Sequence, residues 1–198
     1  ILAAIVFSGC SSTPPETLTS TDWLRENSSV LRDLESFEKG RQQQAVARLK
    51  RLGPDRGSAV AISLLADSQV DYRGEVLLAR LLADWRDVRG VGYLLKYLRH
   101  EDQGAMEIAS QGLLAFKGNR AVIRALLEML ESPSANQRQA AAGVLSEMRS
   151  EEMLKLFPKL YPKESEKMVR GIFVRTVLSS KHSRRDEFLV EALMDTEQ

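Results

Sequence analysis

The chain has 198 residues, with 28 lysines and arginines, 27 aspartates and glutamates, and 43% hydrophobic residues. These proportions are typical of a globular protein and exclude both an intrinsically disordered chain and a strongly basic nucleic-acid-binding protein. One cysteine and two histidines are too few for a structural zinc site, and a single cysteine cannot form an intramolecular disulfide. We therefore expect no metal site, no cofactor and no nucleic-acid partner.

The chain opens with an apolar run, residues 1–9, directly before Cys10. This run is too short to cross a hydrocarbon core of about 30 Å, but its length suits the apolar part of a secretory signal. Ser8-Gly9-Cys10 resembles the end of a bacterial lipoprotein signal, in which the cysteine is lipidated and becomes the mature N-terminus. The resemblance implies that residues 1–9 are signal, that Cys10 carries lipid, and that a charged start lies upstream of the printed chain.

Residues 10–21 are rich in serine, threonine and proline, which is typical of a polar tether. By the same resemblance, Ser11 instead of aspartate after the cysteine implies an outer-membrane anchor facing the periplasm of a Gram-negative envelope. The alternative is that residues 1–10 form a buried element with Cys10 as a free core thiol.

Residues 22–198 show helical periodicity, with apolar residues at i, i+3, i+4 and i+7 and breaks every 12 to 18 residues. Gly53 and Gly118-Asn119 mark helix ends, and Asp71 marks a helix start. The pattern predicts five helix pairs and one closing helix: 22–38 with 40–52, 56–67 with 72–85, 88–99 with 104–117, 120–131 with 135–148, 151–161 with 165–179, and 184–194 alone.

The predicted core positions of the second helices recur at spacings of 33, 31, 32 and 32 residues. They are Val46/Leu49, Ala79/Leu82, Ser110/Leu113, Ala142/Leu145 and Val174/Val177. The first helices and the closing helix give a parallel series: Leu31/Leu34, Ile62/Leu65, Leu95/Leu98, Leu127/Leu130, Phe157/Leu160 and Val190/Leu193. A single pair cannot bury its apolar face, whereas stacked pairs share one elongated core. The predicted fold is therefore all-α, a right-handed α-solenoid of about five pairs plus a closing helix.

Residues 136–145, with the sequence Asn-Gln-Arg-Gln-Ala-Ala-Ala-Gly-Val-Leu, place an arginine before small residues and an aliphatic pair. This segment resembles the second helix of short bacterial HEAT repeats, and the likeness extends over about residues 40–194. The Trp-Leu-Gly-Tyr pattern of tetratricopeptide repeats is absent. Arg138 and Arg170 share one repeat position and are expected to form a structural ladder that bonds acids or helix C-termini. The alternative for these two arginines is an anion-binding strip.

Candidates for catalysis are few. His100 lies at a helix C-terminus, where a cation complements the helix dipole, and His182 lies in a loop. The sequence contains no phosphate-binding loop, dinucleotide fingerprint or metal-ligand spacing, so we predict no catalytic residue and no enzyme activity. Two alternatives stay open: a lyase or chromophore-handling enzyme, by analogy with HEAT-like phycobilin lyases, and a soluble intracellular adaptor.

The predicted binding surface is the concave wall that second helices line in HEAT proteins. Its exposed positions are expected to be Arg80, Glu107, Gln111, Gln139, Gly143 and Arg175. We expect a neutral centre of small residues with an arginine towards each end, and we expect the helix glycines to allow close packing of neighbouring helices. Such a wall suits an extended peptide or an amphipathic helix. The sequence thus predicts a lipid-anchored, non-enzymatic periplasmic scaffold that binds a protein or peptide.

Overall fold

The computed structural model describes Trp23, Arg25 and residues 28–66, 70–181 and 183–194. The predicted signal, Cys10, the tether and His182 lie outside these residues. The described part is all-α, with eleven α-helices. They are α1 Ser29–Leu34, α2 Lys39–Lys50, α3 Gly53–Ala66, α4 Tyr72–Asp84, α5 Val91–Tyr97, α6 Gln103–Leu113, α7 Arg120–Met129, α8 Ala135–Met148, α9 Glu151–Leu160, α10 Lys167–Leu178 and α11 Arg185–Met194. Short 3-10 helices at Val88–Gly90, Leu114–Phe116 and Tyr161–Lys163 adjoin α5, α6 and α9.

The observed helices follow the predicted pairs closely, and the first helix differs at its end, because α1 ends at Leu34 rather than at residue 38. Side-chain caps account for several helix starts. Asp71 accepts hydrogen bonds from the backbone N–H groups of Arg73 and Gly74 at the start of α4. Asn119 caps α7 in the same way. Asn119 was therefore wrongly assigned to the end of the preceding helix, since its side chain satisfies donors of the following one.

The turns after α2, α4, α6 and α8 each contain a residue with positive φ. These residues are Gly53 at 77°, Arg86 at 57°, Gly118 at 85° and Arg149 at 54°. A left-handed residue just past a helix end lets the chain turn while the last carbonyls are bonded. Because the four residues are spaced by 33, 32 and 31 positions, the turn recurs with the sequence repeat.

The buried positions of the second helices also recur. The predicted pairs Ala79/Leu82 and Ala142/Leu145 are confirmed, whereas each of the other three pairs is one residue out at its first member. Ser110, Val46 and Val174 are only half-buried. The residues that face the core together are Ala45/Leu49, Leu78/Leu82, Ala109/Leu113, Ala141/Leu145 and Phe173/Val177. Residues i and i+4 lie on one helix face. The sequence could not separate these registers because most of the neighbouring positions are also small or apolar.

The predicted core positions of the closing helix are wrong, whereas its predicted bounds of 184–194 agree with α11. Val190 and Leu193 are 56% and 69% exposed, whereas Phe188 and Ala192 are buried. The equivalent residue Leu130 is buried, and its helix α7 packs against a following helix, α8. In the described part of the chain, α11 has no following helix and packs only through its Phe188 face.

Helices pack in chain order, each against the next. The second helices α2, α4, α6, α8 and α10 also contact one another in series, and together they form one continuous layer. Two core clusters meet at α4, because Leu78 and Leu82 belong to one cluster and Val76 and Ala79 to the other. The result is a repeat-like helical protein whose second helices present a common wall.

Candidate functional site

A groove of about 850 Å³ lies between α6 and α8 on the layer of second helices. The residues on the α6 side run from Glu101 to Leu114, and those on the α8 side run from Asn136 to Glu147. Ile172 of α10 also lines the groove. Side chains spaced by three or four positions share a helix face, so each helix contributes one stripe to the groove.

Four of the six predicted binding residues line this groove: Glu107, Gln111, Gln139 and Gly143. Arg80 does not line it, but its Nη1 donates to Oε1 of Gln111 at 3.4 Å. Arg175 is exposed on α10 and is not among the lining residues. The sequence thus brings the central four together, while the two arginines lie beyond the groove.

The prediction missed two acidic residues of the groove, Glu101 and Glu147. Glu147 lies four positions after Gly143, so extending the α8 stripe by one turn would have found it. Glu101 lies before α6 begins, where helical periodicity carries no information. With Glu107, these residues make the groove acidic, and the expectation of a neutral centre is wrong.

The carboxylates of the groove are open to solvent. Glu101, Glu107 and Glu147 are all exposed, and Oε1 of Glu107 accepts a hydrogen bond from Nε2 of Gln111 at 3.3 Å. Neither Glu101 nor Glu147 forms an ion pair within the part of the chain that the structure describes. No lysine or arginine is among the residues that line the groove. The groove therefore concentrates negative charge without a local counter-ion from those residues.

The rest of the groove surface is apolar or amide. Met106, Leu114, Ala140, Val144 and Ile172 supply the apolar part. The side-chain amides come from glutamines of both helices and from an asparagine of α8. This combination can bury apolar side chains while hydrogen-bonding a peptide backbone.

Gly143 leaves its helix backbone open to the groove, since a Cβ atom at this position would meet nothing within 4 Å. Gly112 is different: a Cβ there would lie 2.8 Å from Cδ2 of Leu94, which is too close for a packed contact. The expectation that the helix glycines serve close packing holds for Gly57, Gly74, Gly90 and Gly112, where a Cβ would lie within 3 Å of a neighbouring side chain. It is wrong for Gly143, and also for Gly92 and Gly171, where a Cβ would have open space.

Arg138 is engaged beside the groove, near the start of α8. Its Nε and Nη2 donate to the two carboxylate oxygens of Glu164 at 2.8 and 2.9 Å. Its Nη1 donates to the carbonyls of Ser132 and Pro133 at 2.9 and 3.0 Å. The hydrogen bonds from Arg138 to Glu164 hold the pKa of the Glu164 carboxyl below its ordinary value. Because its donors are occupied in this way, Arg138 is not free to bind an anion.

Arg170 occupies the equivalent repeat position but contacts a different group. Its Nη2 donates to the hydroxyl of Tyr161 at 3.3 Å, and its guanidinium carbon lies 4.9 Å from the centre of the same ring. Tyr161 is buried. Both arginines thus contact a segment that connects two helices, but Arg138 binds a carboxylate and Arg170 binds a tyrosine hydroxyl.

A polar and aromatic cluster joins α4, α5 and the start of α6. The hydroxyl of Tyr97 and the ammonium of Lys96 both donate to Oε2 of Glu75, and burial, followed by the hydrogen bond to Glu75, raises the pKa of Tyr97 to about 12. His100 stacks on Tyr72 with ring centroids 4.8 Å apart. Its Nδ1 accepts the backbone N–H of Asp102 at 3.0 Å. His100 therefore contacts two helices, through the ring of Tyr72 on α4 and the backbone of Asp102 at the start of α6.

Metal chemistry and membrane crossing find no support in the described residues. Within residues 28–66, 70–181 and 183–194, no group of three or more His, Cys, Asp or Glu side chains could hold a metal ion. No helix among those residues is both long and apolar enough to cross a membrane.

The sequence matches no protein-family model, no curated protein and no solved structure. The structure therefore supports a repeat-like all-α protein, and no family is identified. The function has to be argued from the groove itself.

Proposed function

We propose that this chain is a non-enzymatic scaffold that binds a protein or peptide partner in the groove between α6 and α8. The observation that carries the proposal is the groove itself, about 850 Å³ in volume and built from two adjacent second helices. This volume lies within the range of about 300–1,000 Å³ that is typical of ligand sites in proteins. Because the groove runs between two helices, it suits an elongated ligand better than a compact one.

The chemistry of the groove supports a peptide ligand. Half-buried apolar residues such as Met106 and Leu114 can bury side chains of the partner, and amides such as Gln111 and Gln139 can bond its backbone. At Gly143 the absence of a side chain leaves room for close approach to the helix backbone.

We propose further that the helices form a right-handed HEAT-like α-solenoid. Three features support this architecture: the recurring i and i+4 buried positions, the recurring left-handed turns and the serial contacts of the second helices. In such an array the second helices line the concave face, which is the face that carries the groove. A small-angle scattering profile of the isolated protein should match a curved, elongated particle; a spherical profile would contradict the solenoid.

We also propose that the protein is anchored to the bacterial envelope by lipid on Cys10, on the outer membrane and facing the periplasm. The support is the Ser8-Gly9-Cys10 motif and the polar tract that follows it. Several acyl chains hold a protein firmly to a bilayer, since each buried CH₂ contributes about 0.8 kcal/mol. The test is fractionation of cells that express the full-length wild-type protein or Cys10→Ala, with mass spectrometry of the N-terminal peptide. Acylated Cys10 and release of the variant from membranes are expected, and membrane retention of Cys10→Ala would contradict the anchor.

The groove is tested by photocrosslinking in intact cells. A photoreactive amino acid at Gln139 should capture one discrete partner, because this position lines the groove. The same amino acid at Gly92, an exposed α5 position with open space around it, should not. A Gly143→Leu substitution should abolish the adduct at Gln139 by filling the groove. Equal capture from both positions, or capture that survives Gly143→Leu, would contradict the proposal.

A further inference from the structure

We propose that the partner segment held in the groove is cationic, a lysine- or arginine-bearing amphipathic stretch of polypeptide. This inference rests on the proposed function and adds the chemistry of the partner. It starts from the charges of the groove, where Glu101, Glu107 and Glu147 are exposed and no lysine or arginine is among the lining residues. Carboxylates gathered in a concave surface reinforce each other's potential and attract positive ligands.

The carboxylates lack counter-ions of their own. Glu107 accepts only a neutral amide donor, from Gln111, and neither Glu101 nor Glu147 has an ion-pair partner in the described part of the chain. By contrast, most of the other described acidic side chains form an ion pair or a hydrogen bond. Asp84, for example, forms ion pairs with Lys50 and Arg80. The groove therefore offers negative charge that a ligand can neutralise.

Two arginines that the sequence predicted at this surface, Arg80 and Arg175, are not part of the groove. Arg80 lies beyond the groove, and its Nε donates to Asp84 at 3.0 Å, so its charge is offset locally. Arg175 is exposed on α10 and is not a lining residue.

The apolar part of the groove sets the second property of the ligand. Met106, Leu114 and Ala140 are half-buried and line the groove together with the carboxylates, so a ligand with only charged side chains would leave this apolar surface in contact with water. A segment with apolar residues on one side and lysines or arginines on the other satisfies both parts. An anionic lipid surface or a nucleic acid would be repelled by the same carboxylates. A metal ion is disfavoured because no group of described side chains is arranged to hold one.

The chain's own N-terminal segment does not fit this description. Residues 1–22 contain Glu16 and Asp22 but no lysine or arginine. The charge of this segment therefore opposes that of the groove. The occupant that matches the groove is a segment of another polypeptide with the opposite charge.

The test uses two synthetic fluorescent peptides of twelve residues, one alternating lysine with leucine and one alternating glutamate with leucine. Binding to the isolated protein is measured by fluorescence anisotropy between 50 and 500 mM salt. We expect the lysine peptide alone to bind, with an affinity that falls as salt screens the charges. The triple variant Glu101→Gln, Glu107→Gln, Glu147→Gln should bind it roughly three- to hundredfold more weakly, because an exposed ion pair contributes about 0.2–1 kcal/mol.

A matched control removes the same number of charges outside the groove. Asp55, Glu128 and Glu131 are exposed and do not line the groove, so the variant Asp55→Asn, Glu128→Gln, Glu131→Gln should bind like the wild type. Equal weakening by both triple variants would show attraction to net charge only and would overturn the inference. Binding of the glutamate peptide, or salt-independent binding, would also overturn it.

Failure of the inference is distinguishable from failure of the proposed function. In one outcome, the photoreactive amino acid at position 139 captures a partner, and Gly143→Leu prevents this capture. If the lysine peptide nevertheless does not bind, and the Glu→Gln triple variant still captures the partner normally, the groove binds a ligand that is not cationic. If neither the partner nor the peptide engages the groove, both proposals fail. A concentration-dependent dimer that Gly143→Leu abolishes would show that a second copy occupies the groove, and would overturn the cationic partner.

Discussion

The ion pair between Arg138 and Glu164 is expected to contribute strongly to stability, and Glu164→Gln is the substitution that tests it. The side chains are only 16% and 5% exposed, respectively. The guanidinium makes two charge-assisted hydrogen bonds to the carboxylate, and Oε1 of Glu164 also accepts the backbone N–H of Glu166 just before α10. The pair thus ties the fourth helix pair to the start of α10.

The expected cost of Glu164→Gln is about 3 kcal/mol in the free energy of unfolding at pH 7. Glutamine keeps the volume but removes the charge and one acceptor, which leaves the partly buried guanidinium without a counter-ion. Breaking a buried pair from one side costs roughly 3–5 kcal/mol, and glutamine retains part of the hydrogen bonding. The measurement is urea denaturation followed by circular dichroism.

The pH dependence gives an independent test with a defined sign. Arg138 lowers the pKa of Glu164 in the folded state, so the unfolded chain binds more protons than the folded one in acid. The stabilisation by the pair is therefore fully present above the ordinary glutamate pKa of about 4.3 and is lost as the pH falls below it. The difference between wild type and Glu164→Gln should shrink towards pH 3.

An exposed pair of the same geometry provides the control. Arg184 donates to both carboxylate oxygens of Glu187 at 2.6 and 2.5 Å, but these side chains are 53% and 59% exposed. Glu187→Gln should therefore leave the unfolding midpoint within experimental error of the wild type. Equal effects of the two substitutions, or a Glu164→Gln difference that persists unchanged at pH 3, would refute the argument from burial.

Four further substitutions test the packing, the turns and the polar cluster by urea denaturation. Gly112→Ala should lower the free energy of unfolding by about 1–3 kcal/mol, because its Cβ would lie 2.8 Å from Leu94; Gly143→Ala has open space and should raise it by up to about 1 kcal/mol. Arg149→Gly should raise it by about 0.5–1 kcal/mol, because glycine tolerates the φ of 54°; a loss would show that the arginine side chain matters more. The pKa of Tyr97 is raised to about 12, so its contribution to stability should decline as the pH rises from about 10 to 12. Tyr97→Phe should remove that decline.

Helix positions and the repeat were predictable because they depend on local patterns. Helical periodicity repeats every 3.6 residues, and the caps act on backbone groups two or three residues away. Asp71 is an example, since it caps the helix that follows it directly. The spacing of Leu49, Leu82 and Leu113, which are all buried, was also visible in the sequence.

Finer features depended on which neighbour covers each helix. Ala109 and Ser110 are both small enough for a helix interface, and only packing decided that Ala109 is buried while Ser110 faces the groove. There its hydroxyl donates to the carbonyl of Met106 at 2.8 Å. Val190 has the apolar character of a core residue, yet it is exposed because no described helix covers that face of α11.

The sequence by itself determined an all-α protein with a helical repeat of about 32 residues, and it placed four of the groove residues on a common stripe. Only the tertiary structure decided that α6 and α8 leave a groove between them, and that Glu101 and Glu147 both line it. The physical reason is that periodicity orients side chains around a single helix axis, whereas a groove depends on the distance and angle between two axes. Those quantities follow from the packing of all the intervening side chains.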